Sequence, residues 1–476
     1  MARQLVLTPS EPLKRTWALS AVDVALKDMF VSFAAVFSGR IDTERFTQAL
    51  RATLIRYPFF HGTLRQQEDA VLVICHHPPR PGVREGMSPV GLDIDEADAP
   101  FPTGDRRVLY AGDFVSRLAP GKPPVHDGRR PLLHLKLTHF RDASVVGLSW
   151  NHALTDLHGI YDFLHAVSDA YSDPCRAPSE PPVFDRRDIW RHLGEPDESA
   201  DSRPSREGRH GIVHISRARA TLGIVRYLKQ AVTDAVPVCL FLDEDGVDGI
   251  KAQALAAGTK VSTNDVVNAT LLKFFGECTR EPRASPEVGL YFPIDVRDLL
   301  GAPPGSVANC LGNASAVLRR ADLWSSTVTE LAIRNRAVVS AYGTAQLQED
   351  LRWADYWRRN TGPSSVYHHW LLGRDRVYSS NWTSQELARV RFDGAAFVTL
   401  LRSSQLNKWL LLPAFHSTVL PRMEDGRMKQ VVRVSVRREH FQTLARHLAD
   451  WPHVQEAIRL DTGERLRRQA PLARAG

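Results

Sequence analysis

At 476 residues the chain is long enough for two or three domains. Hydrophobic residues make up 43% and charged residues 24%, an ordinary balance for a globular protein that excludes disorder over most of the length. The formal charge of +7, carried by scattered arginines, permits an anionic ligand such as a nucleotide-bearing molecule. With no zinc-finger spacing, RNA-binding signature or long basic run, the sequence does not point to nucleic acid.

The five cysteines, Cys75, Cys175, Cys239, Cys278 and Cys310, are odd in number and far apart. They form neither a disulfide framework nor a zinc site, and a reducing, cytoplasmic setting is expected. The first residues have no apolar core of a secretory signal, and no apolar run reaches the length of a membrane span.

In chain order, residues 31–37 read as a buried strand and residues 41–57 as a helix, with Asp42 or Thr43 as cap and Phe46, Leu50, Leu54 and Tyr57 along one face. Residues 59–65 and 70–75 read as a hairpin. Residues 78–130, rich in Pro, Gly and Asp, read as a surface excursion. Residues 132–138 alternate as a strand does, and the apolar run 145–150 is a second strand. Then comes His152-Ala-Leu-Thr-Asp156, followed by Leu157, Ile160, Tyr161, Leu164, Val167 and Tyr171 at helical spacing. The His therefore stands where a strand hands over to an amphipathic helix. A loop leaving a rigid strand end can aim a side chain into a cleft, and an imidazole takes a proton near neutral pH.

Residues 173–211 are poor in apolar side chains and read as a solvated crossing between domains. Beyond it, strands are expected at 236–242, 289–297, 309–318, 377–383, 409–413 and 431–436. Helices are expected at 247–257, from Ser262 with Asp265 as a capping box, over a long run 322–346, and at 440–448. Both halves mix strands with amphipathic helices. This predicts an N-terminal domain over 1–180, a crossover at 181–212 and a C-terminal domain over 213–476, with part of 375–400 crossing to the first. The cleft or tunnel between them is the expected ligand site. Ser262 and Thr263 at a helix start, with Lys251 and Lys260 nearby, suit a phosphate. Cys310 has no neighbour to lower its pKa, and His76-His77 and His368-His369 lack a third metal ligand.

Taken together, the landmarks resemble the BAHD acyltransferases, within the broader plant and fungal CoA-dependent transferases. The match is carried by Leu19-Ser-Ala-Val-Asp23, Tyr57-Pro58, His61-Gly62-Thr-Leu-Arg65 and His152-Ala-Leu-Thr-Asp156. It continues through Ser262-Thr-Asn-Asp265 followed by Ala269, Asp295-Val-Arg297, Gly312-Asn313-Ala314 and Ser379-Ser-Asn-Trp382. Leu157 stands where the family has Gly, and Arg391-Phe392-Asp393-Gly394-Ala395 replaces the family's Asp-Phe-Gly-Trp-Gly. These departures suggest a divergent branch, near the fungal trichothecene-type acetyltransferases.

The resemblance implies an α/β fold of two similar chloramphenicol-acetyltransferase-like domains with an active-site tunnel at their interface. It implies a monomer that moves an acyl group, acetyl first of all, from acyl-CoA to a hydroxyl or amine of a small secondary metabolite, without a metal. His152 would be the general base in a ternary complex. Asp156 would turn away to pair with an Arg, Arg297 with Asp393 would make an interdomain pair, Ser380 would donate to the oxyanion, and Trp382 would shape the pocket. A noncatalytic binding protein on the same scaffold is one alternative. A condensation-like transferase drawing its acyl group from a carrier protein is the other, opposed by the single rather than doubled His motif.

Overall fold

The apolar run before His152 forms the strand Ala143–Asn151, in which every residue is buried. The strand is also interior to its sheet, with Phe30–Ser38 and Leu133–His139 paired antiparallel along its two edges. This computed structural model describes residues 3–7, 15–27, 29–66, 72–76, 90–102, 114–115, 131–173, 181–190, 205, 212–216, 218, 221–223, 225, 235–278, 286–361, 366–368, 376–384, 386–402, 416–448, 451–460 and 462–467.

Among them, one mixed sheet of 15 strands runs through the molecule. On the N-terminal side its order is Arg3–Leu7, Val90–Glu96, Leu133–His139, Ala143–Asn151, Phe30–Ser38. The sheet then passes to Ala395–Arg402, which pairs antiparallel with Phe30–Ser38, and on to His416–Glu424, Arg427–Arg437, Ala235–Leu242, Val454–Arg459 and Arg465–Arg467. A branch leaves His416–Glu424 through the parallel strand Arg376–Asn381 to Glu287–Asp295 and Leu311–Arg319. One large apolar core lies under the N-terminal strands and takes in Trp382, Leu387, Val390, Phe392, Ala395, Phe397 and Leu400 from the second half. A second core joins Ala235–Leu242 and Arg427–Arg437 to the helix Thr263–Cys278.

The helices follow their caps. Asp42 accepts from the Arg45 N–H and starts Thr43–Arg56. Asp156 accepts from the Gly159 N–H and starts Leu157–Ser172, whose buried face carries Ile160, Tyr161, Phe163, Leu164, Val167 and Tyr171. The two helices pack on each other. Ser262 and Asp265 form the expected capping box, Asp265 N–H donating to Ser262 Oγ and Ser262 N–H to Asp265 Oδ2.

Several expectations are corrected. The stretch 78–130 contains the sheet strand Val90–Glu96, hidden because its buried positions include Gly91. The expected long helix is three, Arg320–Ser325, Val328–Ala341 and Thr344–Thr361. It breaks where Thr327 and Glu330 close a capping box and again at Tyr342–Gly343. The crossing is not all solvated surface, since Arg186, in the helix Arg186–Ile189, is buried. Residues 409–413, read as a strand, and His77 and His369 lie outside the described residues.

Candidate active site

The loop that leaves Ala143–Asn151 is tied down from several directions. Asn151 Nδ2 donates to the Lys27 carbonyl at 2.7 Å, and its Oδ1 accepts from the Ala153 N–H at 2.9 Å. The His152 N–H donates to the Met29 carbonyl at 2.7 Å, and Trp150 Nε1 to the Thr155 carbonyl at 3.2 Å. The backbone at His152 is thus fixed before its side chain does anything.

The half-buried His152 imidazole then meets Asn309, with Nδ1 and Asn309 Oδ1 2.9 Å apart. The amide's orientation is set by its other partners. Asn309 Nδ2 lies 2.7 Å from Asp23 Oδ1 and 2.7 Å from the His152 carbonyl, both of which only accept. Oδ1 must therefore face the ring, Nδ1 must carry a proton, and the lone pair of a neutral imidazole is left on Nε2. Burial lowers the His152 pKa below the usual imidazole range, against opposing lifts from its hydrogen bonds and from Asp156 and Asp23. A ring kept neutral, with its lone pair on Nε2, is set up for proton abstraction.

Asp156 has a different task. Its Oδ1 accepts from Gly159 N–H at 3.2 Å and Arg297 Nη2 at 2.8 Å, and its Oδ2 from Arg297 Nη1 at 2.9 Å and Cys310 N–H at 3.0 Å. Burial pushes its pKa up, but the Arg297 guanidinium overrides it and holds the carboxyl below the usual range. The same guanidinium also takes Asp295 Oδ2 at 3.1 Å. The expected pair of Arg297 with Asp393 does not form, because Arg297 is spent on Asp156 and Asp295. Asp393 instead meets Arg45 at 2.6 Å on the surface. Cys310, beside this cluster, is no activated thiol, since burial pushes its pKa up to about 12.

Ser380 stands on the strand Arg376–Asn381, and Trp382 follows it. Trp382 Nε1 donates to Ser380 Oγ at 3.0 Å, which leaves the Ser380 hydroxyl hydrogen to be directed elsewhere. Trp382 is buried against Phe33, whose ring also packs on Trp150, two residues before His152, and on Tyr161. Tyr161 O–H closes the wall by donating to the Trp382 carbonyl at 2.6 Å. An aromatic cluster thus joins the Ser380 strand to the His152 strand.

The four residues expected to hold a phosphate lie in the second half, on the helices Glu244–Ala256 and Thr263–Cys278 and between them. They do not form a cradle of free donors. Ser262 Oγ bonds Asp265 and Arg336, and Arg336 also pairs with Asp265. Lys251 pairs with Asp248 at 3.1 Å. Lys260 is exposed and Thr263 opens its helix.

Sequence reasoning missed Asn309, Arg186 and the role of Asp23. Asp23 was visible in Leu19-Ser-Ala-Val-Asp23, but only as a landmark. Asn309 was read only as the opening residue of the strand expected at 309–318. The strand begins at Leu311 and Asn309 stands in the irregular backbone before it, and Arg186 was lost among the charges of the crossing.

No family model and no curated protein sequence matches the chain. Solved structures do. TRI101 of F. graminearum, complexed with ethyl coenzyme A, is similar with a TM-score of 0.71 at 16% identity, over 93% of this chain and 99% of that one. Vinorine synthase is similar with a TM-score of 0.61 at 13% identity, over 93% of this chain and 96% of its own. Polyketide synthase associated protein 5 from Mycobacterium tuberculosis reaches 0.52 at 18% identity, over 92% and 98%. TRI101 and vinorine synthase are BAHD acyltransferases. The chain has their fold, the mixed α/β architecture of two chloramphenicol-acetyltransferase-like domains that the resemblance in the sequence implies.

Proposed function

We propose that the protein is a CoA-dependent acyltransferase that moves an acyl group, acetyl first of all, onto a hydroxyl or amine of a small molecule. The observation that carries this reading is the His152–Asn309 contact at 2.9 Å, which leaves Nε2 as the base nitrogen at the end of a buried strand. Acyl transfer from a thioester needs little else. The thiolate is a good leaving group, so a deprotonated acceptor and a stabilised oxyanion suffice, and no covalent enzyme intermediate is required.

In this reading His152 Nε2 takes the acceptor's proton as the acceptor oxygen or nitrogen bonds to the thioester carbonyl carbon. The carbonyl oxygen becomes an oxyanion, to which the Ser380 hydroxyl donates, its oxygen already held by Trp382. Collapse breaks the carbon–sulfur bond, and the imidazolium returns its proton to the CoA thiolate. Asp156 stays out of the proton path and holds the loop through Arg297. Of the four expected phosphate contacts, this reading assigns CoA to the exposed Lys260 and to the helix start at Thr263. TRI101 has been crystallised with coenzyme A and T-2 mycotoxin together. That likeness in shape supports a ternary complex here.

The test is to incubate the protein with acetyl-CoA and a broad panel of alcohols and amines, following thiol release and acylated products by mass. Acceptor-dependent release, lost in His152→Ala, is expected. Undiminished release by that variant removes His152 as the base. No release with any donor or acceptor favours a binding protein on this scaffold.

A further inference from the structure

We propose that Asp23, locked by Arg186, is a positioning residue that sets the tautomer of His152 through the amide of Asn309. The proposal rests on the acyl-transfer reading above for its catalytic consequence, but not for its structural content. Asp23 is fully buried, and so, nearly, is Arg186. Asp23 Oδ2 accepts from Ser20 N–H at 2.9 Å, Ser20 Oγ at 2.8 Å and Arg186 Nε at 2.8 Å. That leaves Oδ1 for the Asn309 segment, which it meets at 2.7 Å from Nδ2 and 3.3 Å from the backbone N–H.

Arg186 cannot turn away from this arrangement. Its Nη1 donates to the Phe184 and Val307 carbonyls at 2.8 and 2.9 Å, its Nη2 to the Leu154 carbonyl at 3.0 Å, and its guanidinium lies 4.6 Å from the centre of the Phe59 ring. One side chain from the crossing therefore grips the His152 loop, the segment leading to Asn309 and the Asp23 carboxylate. A carboxylate accepts and never donates. An amide facing it must present its NH2 group, and its oxygen is then committed to His152 Nδ1. The tautomer is thus biased by a charge that does not touch the imidazole, acting on the same NH2 group that the His152 carbonyl accepts from.

Asp23→Asn nearly preserves shape and tests the logic. Its single amide oxygen goes to the side with Ser20 and Arg186, where three donors converge. Its NH2 then confronts both the NH2 and the backbone N–H of Asn309. Flipping the Asn309 amide relieves that clash at the cost of its bond to the His152 carbonyl, and a flipped amide offers His152 Nδ1 a donor instead of an acceptor. The proton belongs on Nε2 in that arrangement, where it blocks the base. Protein labelled with nitrogen-15 in histidine reports this by NMR, the His152 signals being those missing from His152→Gln. The wild-type protein is expected to show a neutral ring protonated on Nδ1, and Asp23→Asn a shift toward Nε2–H. With it, kcat should fall by about 10²-fold or more while KM for the thioester stays within about twofold. Ser20→Ala, which removes a cap from the same carboxylate but leaves its charge, should lower Tm and leave tautomer and kcat unchanged. A wild-type ring protonated on Nε2 overturns the proposal, even if Asp23→Asn does not fold. So does a loss of kcat that merely tracks Tm across both variants with no tautomer change. The expected tautomers in a protein that never releases thiol would sink the acyl-transfer reading and leave the positioning role standing.

Discussion

Arg297 grips Asp156 at both carboxylate oxygens, Nη2 to Oδ1 at 2.8 Å and Nη1 to Oδ2 at 2.9 Å, so the acidic end of the His152 motif is a structural clamp. Both partners are largely buried. Removing one partner of such a pair strands the other's charge and costs about 3–5 kcal/mol. Asp156→Ala is therefore expected to lose about that much stability in urea unfolding. The pH dependence has a definite sign. The folded pKa lies below the usual carboxylate value of 3.8, so the stabilisation is complete above that value and is lost as pH falls through the folded one. Asp156→Asn should flatten this acid limb, seen as a smaller change in unfolding midpoint between neutral and acid pH.

Replacing His152 should act on rate and spare stability. His152→Ala is expected to lower kcat by about 10²–10⁴-fold, the usual worth of a general base, with little change in Tm. Because burial lowers the imidazole pKa, the unprotonated base persists to lower pH than for an ordinary histidine. The acid limb of wild-type kcat/KM should fall below the usual value of about 6.5. An acid limb above that value would contradict the structure.

What the sequence disclosed and what it hid divide along physical lines. The strands flanking His152, the helix capped by Asp156 and the capping box of Ser262 with Asp265 were readable, because burial periodicity and cap chemistry are local. So was the loop position of His152. The choice of Arg297's partner was not. Its pairing spans the interface between halves, and nothing along the chain distinguishes Asp156 from Asp393 as the acid it reaches. The relay from Asp23 through Asn309 joins residues 286 positions apart. Arg186 was misjudged because a charged residue in a polar stretch is normally solvated, and here three carbonyls and a carboxylate take water's place.

Leu157 stands where the resemblance leads one to expect Gly, and the structure moves the requirement for glycine two residues on. A Cβ on Gly159 would lie 2.2 Å from Thr155 Oγ1, a buried hydroxyl that donates to the Ala308 carbonyl at 3.3 Å. Gly159→Ala should destabilise by about 1–3 kcal/mol through overpacking and lower kcat by moving the loop. Leu157, which packs partly buried on the N-terminal core, has no such need. Leu157→Gly should cost about 1 kcal/mol in helix propensity and gain no activity, as measured by thermal unfolding and turnover.

The segment 391–395 lacks the tryptophan and one glycine of the hallmark that the resemblance leads one to expect, yet it still docks on the N-terminal half. Phe392 does this. Fully buried, it makes edge contacts with Phe37, Phe46 and Tyr171 at centroid distances of 5.1, 5.5 and 5.2 Å. The neighbouring Arg45–Asp393 pair is about half exposed on both sides, where ion pairs contribute about 0–1 kcal/mol. Asp393 also has a φ of +53°, a conformation that Asp and Asn tolerate better than other residues with a side chain. Asp393→Asn keeps that tolerance and removes only the charge, so it should change stability by less than about 1 kcal/mol. Phe392→Ala should cost about 3–5 kcal/mol. If the order were reversed in chemical denaturation, the ion pair and not the aromatic plug would hold this segment to the N-terminal half.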